Sequence, residues 1–262
     1  MSRYFIYLGY NGTRYCGWQN QPNGVSVQQC LEEVFSKVLC QGISITGAGR
    51  TDAGVHAHLM VAHFDAAEPL ENIDLLIGKF NNMLPKDIAL YKIVPVTDAA
   101  HARFDACSRT YIYKVSGYKD PFGYEYVCRM SLNNMNFEVM NDACKVLFDY
   151  SDFTSFSKLH TDVKTNNCRI IEAGWEKEAD VWIFTIKADR FLRNMVRAIV
   201  GTLFDVGRGK ISTEDFRNII EAKDRCKAGS SASAEGLSLV NIEYPESIFI
   251  LNEDMCGSTV FQ

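Results

Sequence analysis

Residues 45–65, ITGAGRTDAGVHAHLMVAHFD, place Gly47, Gly49 and Gly54, together with Arg50 and Asp52, immediately ahead of an alternating segment that carries His56, His58 and His63. Glycines packed this closely let a tight loop approach a neighbour, and the alternation from Val55 to Phe64 reads as a strand. The segment is thus a loop held at the mouth of a strand, with Asp52 at its tip. Upstream, Ser26-Val27-Gln28-Gln29 has the form of a capping box. Val27, Cys30, Leu31, Val34, Phe35, Val38 and Leu39 follow it at helical spacing, so a helix precedes the loop.

Tyr4 to Tyr10 alternates as a strand, Ile73 to Met83 has helical periodicity, and Ile88 to Val96 is an apolar run. The first hundred residues therefore read strand, helix, strand, strand, helix, strand. A similar order recurs with Thr110 to Val115 as a strand, Phe137 to Phe148 as a helix, and a hairpin from Ile170 through Trp175 and Val181 to Ile186. A long amphipathic helix is expected over Phe191 to Phe204, a short capped one over Ser212 to Ile220, and a closing strand over Leu237 to Tyr244. The expected class is α/β (α+β): two ferredoxin-like βαββαβ halves around a mixed, mostly antiparallel central sheet. The halves would span 1–100 and 101–246, with 247–262 as a tail, and the boundary would fall near Ala99 to Cys107. Tyr150 to Cys168, rich in Ser, Thr, Asp, Lys and Asn, reads as a long loop.

The chain has 262 residues, 47% hydrophobic and 23% charged, which sets aside disordered and fibrous classes. Its start lacks the apolar run and small-residue cleavage site of a signal peptide, and no membrane span follows. The nine cysteines form no C-x-x-C pair and fall mostly on apolar faces, such as Cys30, Cys40 and Cys144. They are expected to be reduced core thiols of a cytoplasmic protein. A net charge of −5 opposes phosphate-backbone binding by the chain as a whole. Distribution overrides the sum between Lys187 and Lys210, where Lys187, Arg190, Arg193, Arg197, Arg208 and Lys210 face only Asp189 and Asp205.

The opening stretch admits three chemical readings. A phosphate cradle needs G-x-x-x-x-G-K-[ST], or G-x-G-x-x-G leading into a helix, and this stretch fits neither. A metal site would use His56 and His58 on one strand face, with Asp52 or His63 added, against the plainer role of hydrogen-bonded strand histidines. The third reading takes Asp52 as a single reactive carboxylate kept ionised by a nearby cation. Arg50 is one candidate cation. Arg190, Arg193 and Arg197, at i, i+3 and i+7 of the expected helix, are better placed, although the same spacing also describes a solvated helix face.

Gly49-Arg50-Thr51-Asp52-Ala53-Gly54-Val55-His56-Ala57 resembles the G-R-T-D-A-G-V-H-A signature of the TruA family of tRNA pseudouridine synthases. His101-Ala102-Arg103-Phe104 followed by Arg109-Thr110-Tyr111-Ile112-Tyr113 is similar to that family's F-x-A-R-F and R-x-Y-x-Y. Phe191-Leu192-Arg193-Asn194-Met195-Val196-Arg197, then Ile199-Val200-Gly201, resembles F-L-x-N-M-V-R-x-I-V-G. Asp152 to Phe156 and Ala234 to Leu237 also sit where family members carry like segments, but Ala232-Ser233-Ala234 stands where many have A-P-A.

The resemblance implies isomerisation of uridine to pseudouridine at tRNA nucleotides 38, 39 and 40, without cofactor or metal, by a homodimer that binds tRNA across both subunits. It implies that Asp52 is the catalytic aspartate, Arg197 its paired arginine, Tyr111 the residue that stacks on the target base, and Arg50 an arginine near the flipped nucleotide. Arg103, Arg109, Arg190 and Arg193 are then the expected RNA contacts, and Val55, Ile112 or Leu237 the expected apolar walls of the pocket.

Overall fold

The computed structural model describes residues 1–22, 24–158 and 165–250. The first strand, β1 (Ser2–Tyr10), leads by a loop to helix α1 (Val27–Val38), followed by β2 (Thr46–Gly47), β3 (His56–Ala66), α2 (Ile73–Met83) and β4 (Ile88–Pro95). The second set runs β5 (Ser108–Ser116), β6 (Cys128–Arg129), α3 (Phe137–Val146), β7 (Ile170–Glu178), β8 (Val181–Ala188), α4 (Met195–Gly207), α5 (Thr213–Glu221) and β9 (Leu237–Glu243). Among the described residues these strands form one mixed, mostly antiparallel nine-stranded sheet. Its main order is β4-β1-β3-β9-β5-β8-β7, with β2 on β3 and β6 on β5.

The strand order repeats. The first half lies β4-β1-β3-β2 and the second β9-β5-β8-β7, so each half places its strands as fourth, first, third and second. The halves join through a short parallel pairing of β3 with β9, His56 opposite Ser238 and Ala57 opposite Leu239. Two apolar cores result. One gathers Phe5, Ile6, Leu31, Phe35, Phe64 and Phe80 of the first half, but also Leu239, Ile242 and Ile248. The other gathers Tyr113, Phe153, Phe156, Trp175, Phe184 and Leu203, but also Val55 from the first half. Each half lends side chains to the other's core, and Tyr111 packs against both.

Most expected elements appear close to their expected bounds, with informative departures. Ser26 caps α1 by accepting from the Gln29 amide, whereas the Gln29 side chain donates to Glu33 and does not return to the cap. Ser212 and Asp215 form the full reciprocal box at α5. The long helix expected from Phe191 starts only at Met195, because Asn194 adopts a left-handed conformation (φ 66°) that breaks the helical path. Arg190 and Arg193 are therefore in the loop before α4, and only Arg197 lies on the helix.

Of the expected core thiols, Cys144 is buried and Cys30 half-buried, but Cys40 lies exposed just past α1. Residues 247–250 of the expected tail return to the first half, where Thr97 donates to the Ile248 carbonyl and Phe249 bridges Val96. The rest of that tail, and residues 159–164 of the expected long loop, lie outside the described residues. The described part of that loop includes a turn of 3-10 helix at Thr154–Phe156 and a bridge from Asp152 to Asn167. No helix among the described residues is long and apolar enough to cross a membrane.

Candidate active site at the seam

The loop from Ala48 to Val55 enters β3 beside the seam and is held from outside by residues 15–18. Trp18 donates its amide to the Thr51 carbonyl (3.2 Å), and Gly54 donates to the Tyr15 carbonyl (3.3 Å). The Val55 amide closes a turn on the Asp52 carbonyl (3.1 Å), and the Thr51 hydroxyl meets the buried Tyr10 hydroxyl at 2.9 Å. Two glycines are required here. Gly54 sits at φ +77°, and Gly17 at φ +92°, where a Cβ would lie 2.4 Å from the Thr51 carbonyl oxygen. Gly17, in Tyr15-Cys16-Gly17-Trp18, is a site-shaping residue that sequence reasoning missed; its position among aromatic residues is the available signal.

Asp52, with 23% of its side chain exposed, faces two arginines of the other half. Arg197 Nη1 lies 3.6 Å from Oδ2 and Arg193 Nε 3.7 Å from Oδ1. Arg197 is fixed by mutual bonds with Ala232: its Nε donates to the Ala232 carbonyl (2.7 Å), and the Ala232 amide donates to the Arg197 carbonyl (2.9 Å). Asn194 bonds Ser231 through its side chain at 2.7 Å, so the 231–232 segment is stitched to the start of α4. Arg193 pairs with the carboxylate as well, so two of the three arginines that the sequence nominates as its partners reach it, Arg193 from the loop and Arg197 from the helix. Arg50 is exposed and makes no ion pair with Asp52 among the described residues.

Tyr111 stands on β5 opposite Leu239 and Ile186, next to an irregularity in the β5–β9 register between Thr110 and Tyr111. Such register breaks re-aim side chains near functional sites. Its ring meets Phe191 edge-on at 5.2 Å, and burial pushes its hydroxyl up to about 12. Ile112, one residue on, points to the opposite sheet face and cannot wall the same pocket. Val55 and Leu237 do join the core on which Tyr111 packs.

The remaining arginines divide. Arg103 is exposed beside Phe104, and burial together with the charges of Arg50 and Arg190 holds its guanidinium below the ordinary value. Those three cations therefore share one rim. Arg190 also donates to the Thr165 carbonyl (3.3 Å). Arg109 instead turns inward and is bonded to main-chain carbonyls.

The histidines take the plainer role. His56 Nδ1 accepts from the Gly12 amide (3.0 Å), Nε2 bonds the Glu235 carbonyl (3.1 Å), and burial keeps its pKa below the ordinary value. His63 Nδ1 accepts from Ala102 (3.1 Å). Among the described residues no three His, Cys, Asp or Glu side chains gather as metal ligands.

A carboxylate between two arginines, beside an aromatic ring and a cationic rim, suits nucleophilic or base chemistry on an anionic polymer. Comparison with known proteins agrees. A family model described as tRNA pseudouridine synthase matches residues 7–105 and 143–245, which include Arg50, Asp52, Arg103, Arg190, Arg193 and Arg197, with Arg109 and Tyr111 between the two segments. The chain is 64% identical over 249 residues to tRNA pseudouridine synthase A of Parabacteroides distasonis, covering 95% of this chain and 98% of that one. It is 58% identical to the protein of the same name in Bacteroides fragilis, covering 95% and 99%. It is 37% identical to that of Francisella tularensis subsp. novicida, covering 95% and 96%. The chain belongs to the tRNA pseudouridine synthase family.

Proposed function

We propose that this protein isomerises uridine to pseudouridine at nucleotides 38, 39 and 40 of the tRNA anticodon arm, with Asp52 as the reacting carboxylate. The supporting observation is Asp52 within 3.7 Å of both Arg193 and Arg197, contributed by the opposite half of the sheet. The bond from C1′ to N1 breaks, the base turns, and a C1′ to C5 bond forms; C5 gives up a proton and N1 gains one, with no net redox change. Asp52 attacks C1′, adds to C6 of the ring, or removes the 2′ proton. Each route needs an ionised carboxylate, and the two guanidiniums lie against its two oxygens.

A uridine in a paired stem must first be extruded, at a cost of a few kcal/mol, while stacking on an aromatic ring returns about 1–3 kcal/mol. Tyr111 is that ring, set edge-on to Phe191. Arg50, Arg103 and Arg190 take the flanking phosphates, which makes binding strongly salt-dependent although the chain is acidic overall. Val55 and Leu237 keep water from the opened sugar.

The same reading includes two ferredoxin-like units meeting near residues 99–107, cytoplasmic residence and a homodimer. Sedimentation at twice 29.5 kDa supports the dimer, and a 29.5 kDa species counts against it. The activity is tested with unmodified tRNA transcripts carrying a single uridine at 38, 39 or 40, in buffer without divalent metal. Pseudouridine is expected in all three. Binding without product at any position favours an RNA-binding module, and product only after a metal is added contradicts a reaction run by Asp52 alone.

A further inference from the structure

Arg109 lies on β5 opposite Ala188 on one side and Ile242 on the other. Its Nη1 donates to the carbonyls of Ala106 (3.0 Å) and Asp189 (2.8 Å), and its Nη2 to those of Ala48 (3.1 Å) and Arg103 (2.6 Å). These carbonyls belong to three separate stretches of chain. Ala48 starts the loop that carries Arg50 and Asp52, Arg103 and Ala106 lie in the loop before β5, and Asp189 leads directly into Arg190 and Arg193. One guanidinium thus joins the three irregular segments that carry Arg50, Arg103, and Arg190 with Arg193.

Such a junction is needed because the charges of Arg50 and Arg190 both bear on Arg103, and none of the three sits on a helix or strand. Like charges on irregular backbone drift apart unless something fixes the backbone. Charge-assisted bonds to carbonyls are strong, and the planar fork of arginine spreads its donors over two nitrogens that reach carbonyls on separate segments, a span that the three donors on the one nitrogen of lysine do not cover. We propose that Arg109 is a positioning residue, a guanidinium clamp that ties the three loops together so that the Asp52 carboxylate and its cationic rim are in place before RNA arrives. Pre-set geometry of this kind supports both rate and affinity. Its kinetic consequence rests on the synthase reading; the clamp itself has a signature that needs no activity.

The experiment compares wild type with Arg109→Lys and Arg109→Gln. It measures single-turnover pseudouridine formation, tRNA affinity across a salt series, and amide hydrogen exchange of the free protein. Both variants are expected to lose rate by roughly 10–100-fold, with lysine no better than glutamine, since a displacement of about 1 Å costs on that order. Exchange is expected to quicken together in peptides covering 45–52, 101–107 and 189–194, with the β7–β8 hairpin unchanged.

A lysine variant close to wild type, beside a glutamine variant whose salt slope is shallower by about one, overturns the proposal in favour of a phosphate contact. Unchanged exchange in the three segments overturns it as well. If neither variant folds, wild type alone decides: one shared opening of the three segments supports the clamp, and independent openings overturn it. Absence of pseudouridine in wild type removes the synthase reading, while the exchange result still judges the clamp.

Discussion

In the first half of the sheet the strand that flanks β3 is β2, only two residues long; in the second half the corresponding β7 runs nine residues and pairs along β8 from Ile170 to Glu178. β2 places Thr46 and Gly47 opposite His63 and Ala62, which leaves the edge of β3 away from β1 without a partner from its own half at His56 and Ala57. Open strand edges seek partners, and β9 fills this one in parallel. Because the two strands run the same way, the loops that precede them emerge at the same end of the sheet. The Asp52 loop therefore meets the 231–236 loop and the start of α4, which carries Arg197. In the second half β8 is paired along its length by β5 on one edge and by β7 on the other. The shortened strand is what places an acid of one half against the arginines of the other.

The first way to break this comparison is to remove the partner. Arg197→Gln is expected to slow pseudouridine formation by about 100-fold or more, with little change in fold, read by single-turnover kinetics beside circular dichroism. Loss of rate no greater than for a distant surface arginine such as Arg217 would show that the cross-half pair is incidental.

The second cuts the seam. Leu239 is 1% exposed and sits opposite both Ala57 and Tyr111, so Leu239→Ala is expected to cost about 3 kcal/mol in urea unfolding and to lower the rate. The matching cut in the other flank, Trp175→Leu on β7, should lower stability yet leave the rate of the folded fraction near wild type. Equal rate losses in the two variants would mean that the seam has no special bearing on the site.

A smaller effect is expected at Tyr111. Tyr111→Ala should weaken the productive complex by about 2 kcal/mol, while Tyr111→Phe, which keeps the ring, should stay within a few-fold of wild type. A phenylalanine variant as impaired as the alanine one would assign the hydroxyl a role that stacking does not include.

The smallest expected effect lies further along β3, at His63, which accepts from the Ala102 amide. Burial, with the charges of His101 and Arg3 adding to it, lowers His63 from its ordinary 6.5 to about 4. The unfolded chain takes up this proton at higher pH than the folded one. The contribution is therefore complete above pH 6.5 and is lost as pH falls towards 4. Roughly 1–2 kcal/mol should disappear between pH 7 and pH 5, and His63→Gln should flatten that slope. An unchanged slope in the variant would move the effect to other groups.

The parts of the fold legible in the sequence are those with a repeating period. The strands β1, β3, β4 and β5, and the helices α1 and α2, have enough residues for alternation or helical spacing to register, and their bounds shift by only a few positions. β2 has too few residues to show a period, so the order of elements could be read while the feature that creates the seam could not. The start of α4 misleads for the opposite reason. Phe191, Leu192 and Met195 mimic helical spacing, but Asn194 turns left-handed and releases Arg190 and Arg193 into a loop. That release lets Arg193 reach Asp52. Asp52, Arg197 and Tyr111 were nominated by residue type and motif, whereas the inward turn of Arg109 depends on carbonyls from three distant segments, which leave no trace in spacing.

The most direct test of the account is Asp52→Asn in single turnover, with tRNA binding measured on the same preparation. The substitution keeps the size and polarity of the side chain and removes only its charge. Binding within a few-fold of wild type, with no pseudouridine formed, is the predicted result. Product at the wild-type rate would contradict the assignment of Asp52 as the reacting group.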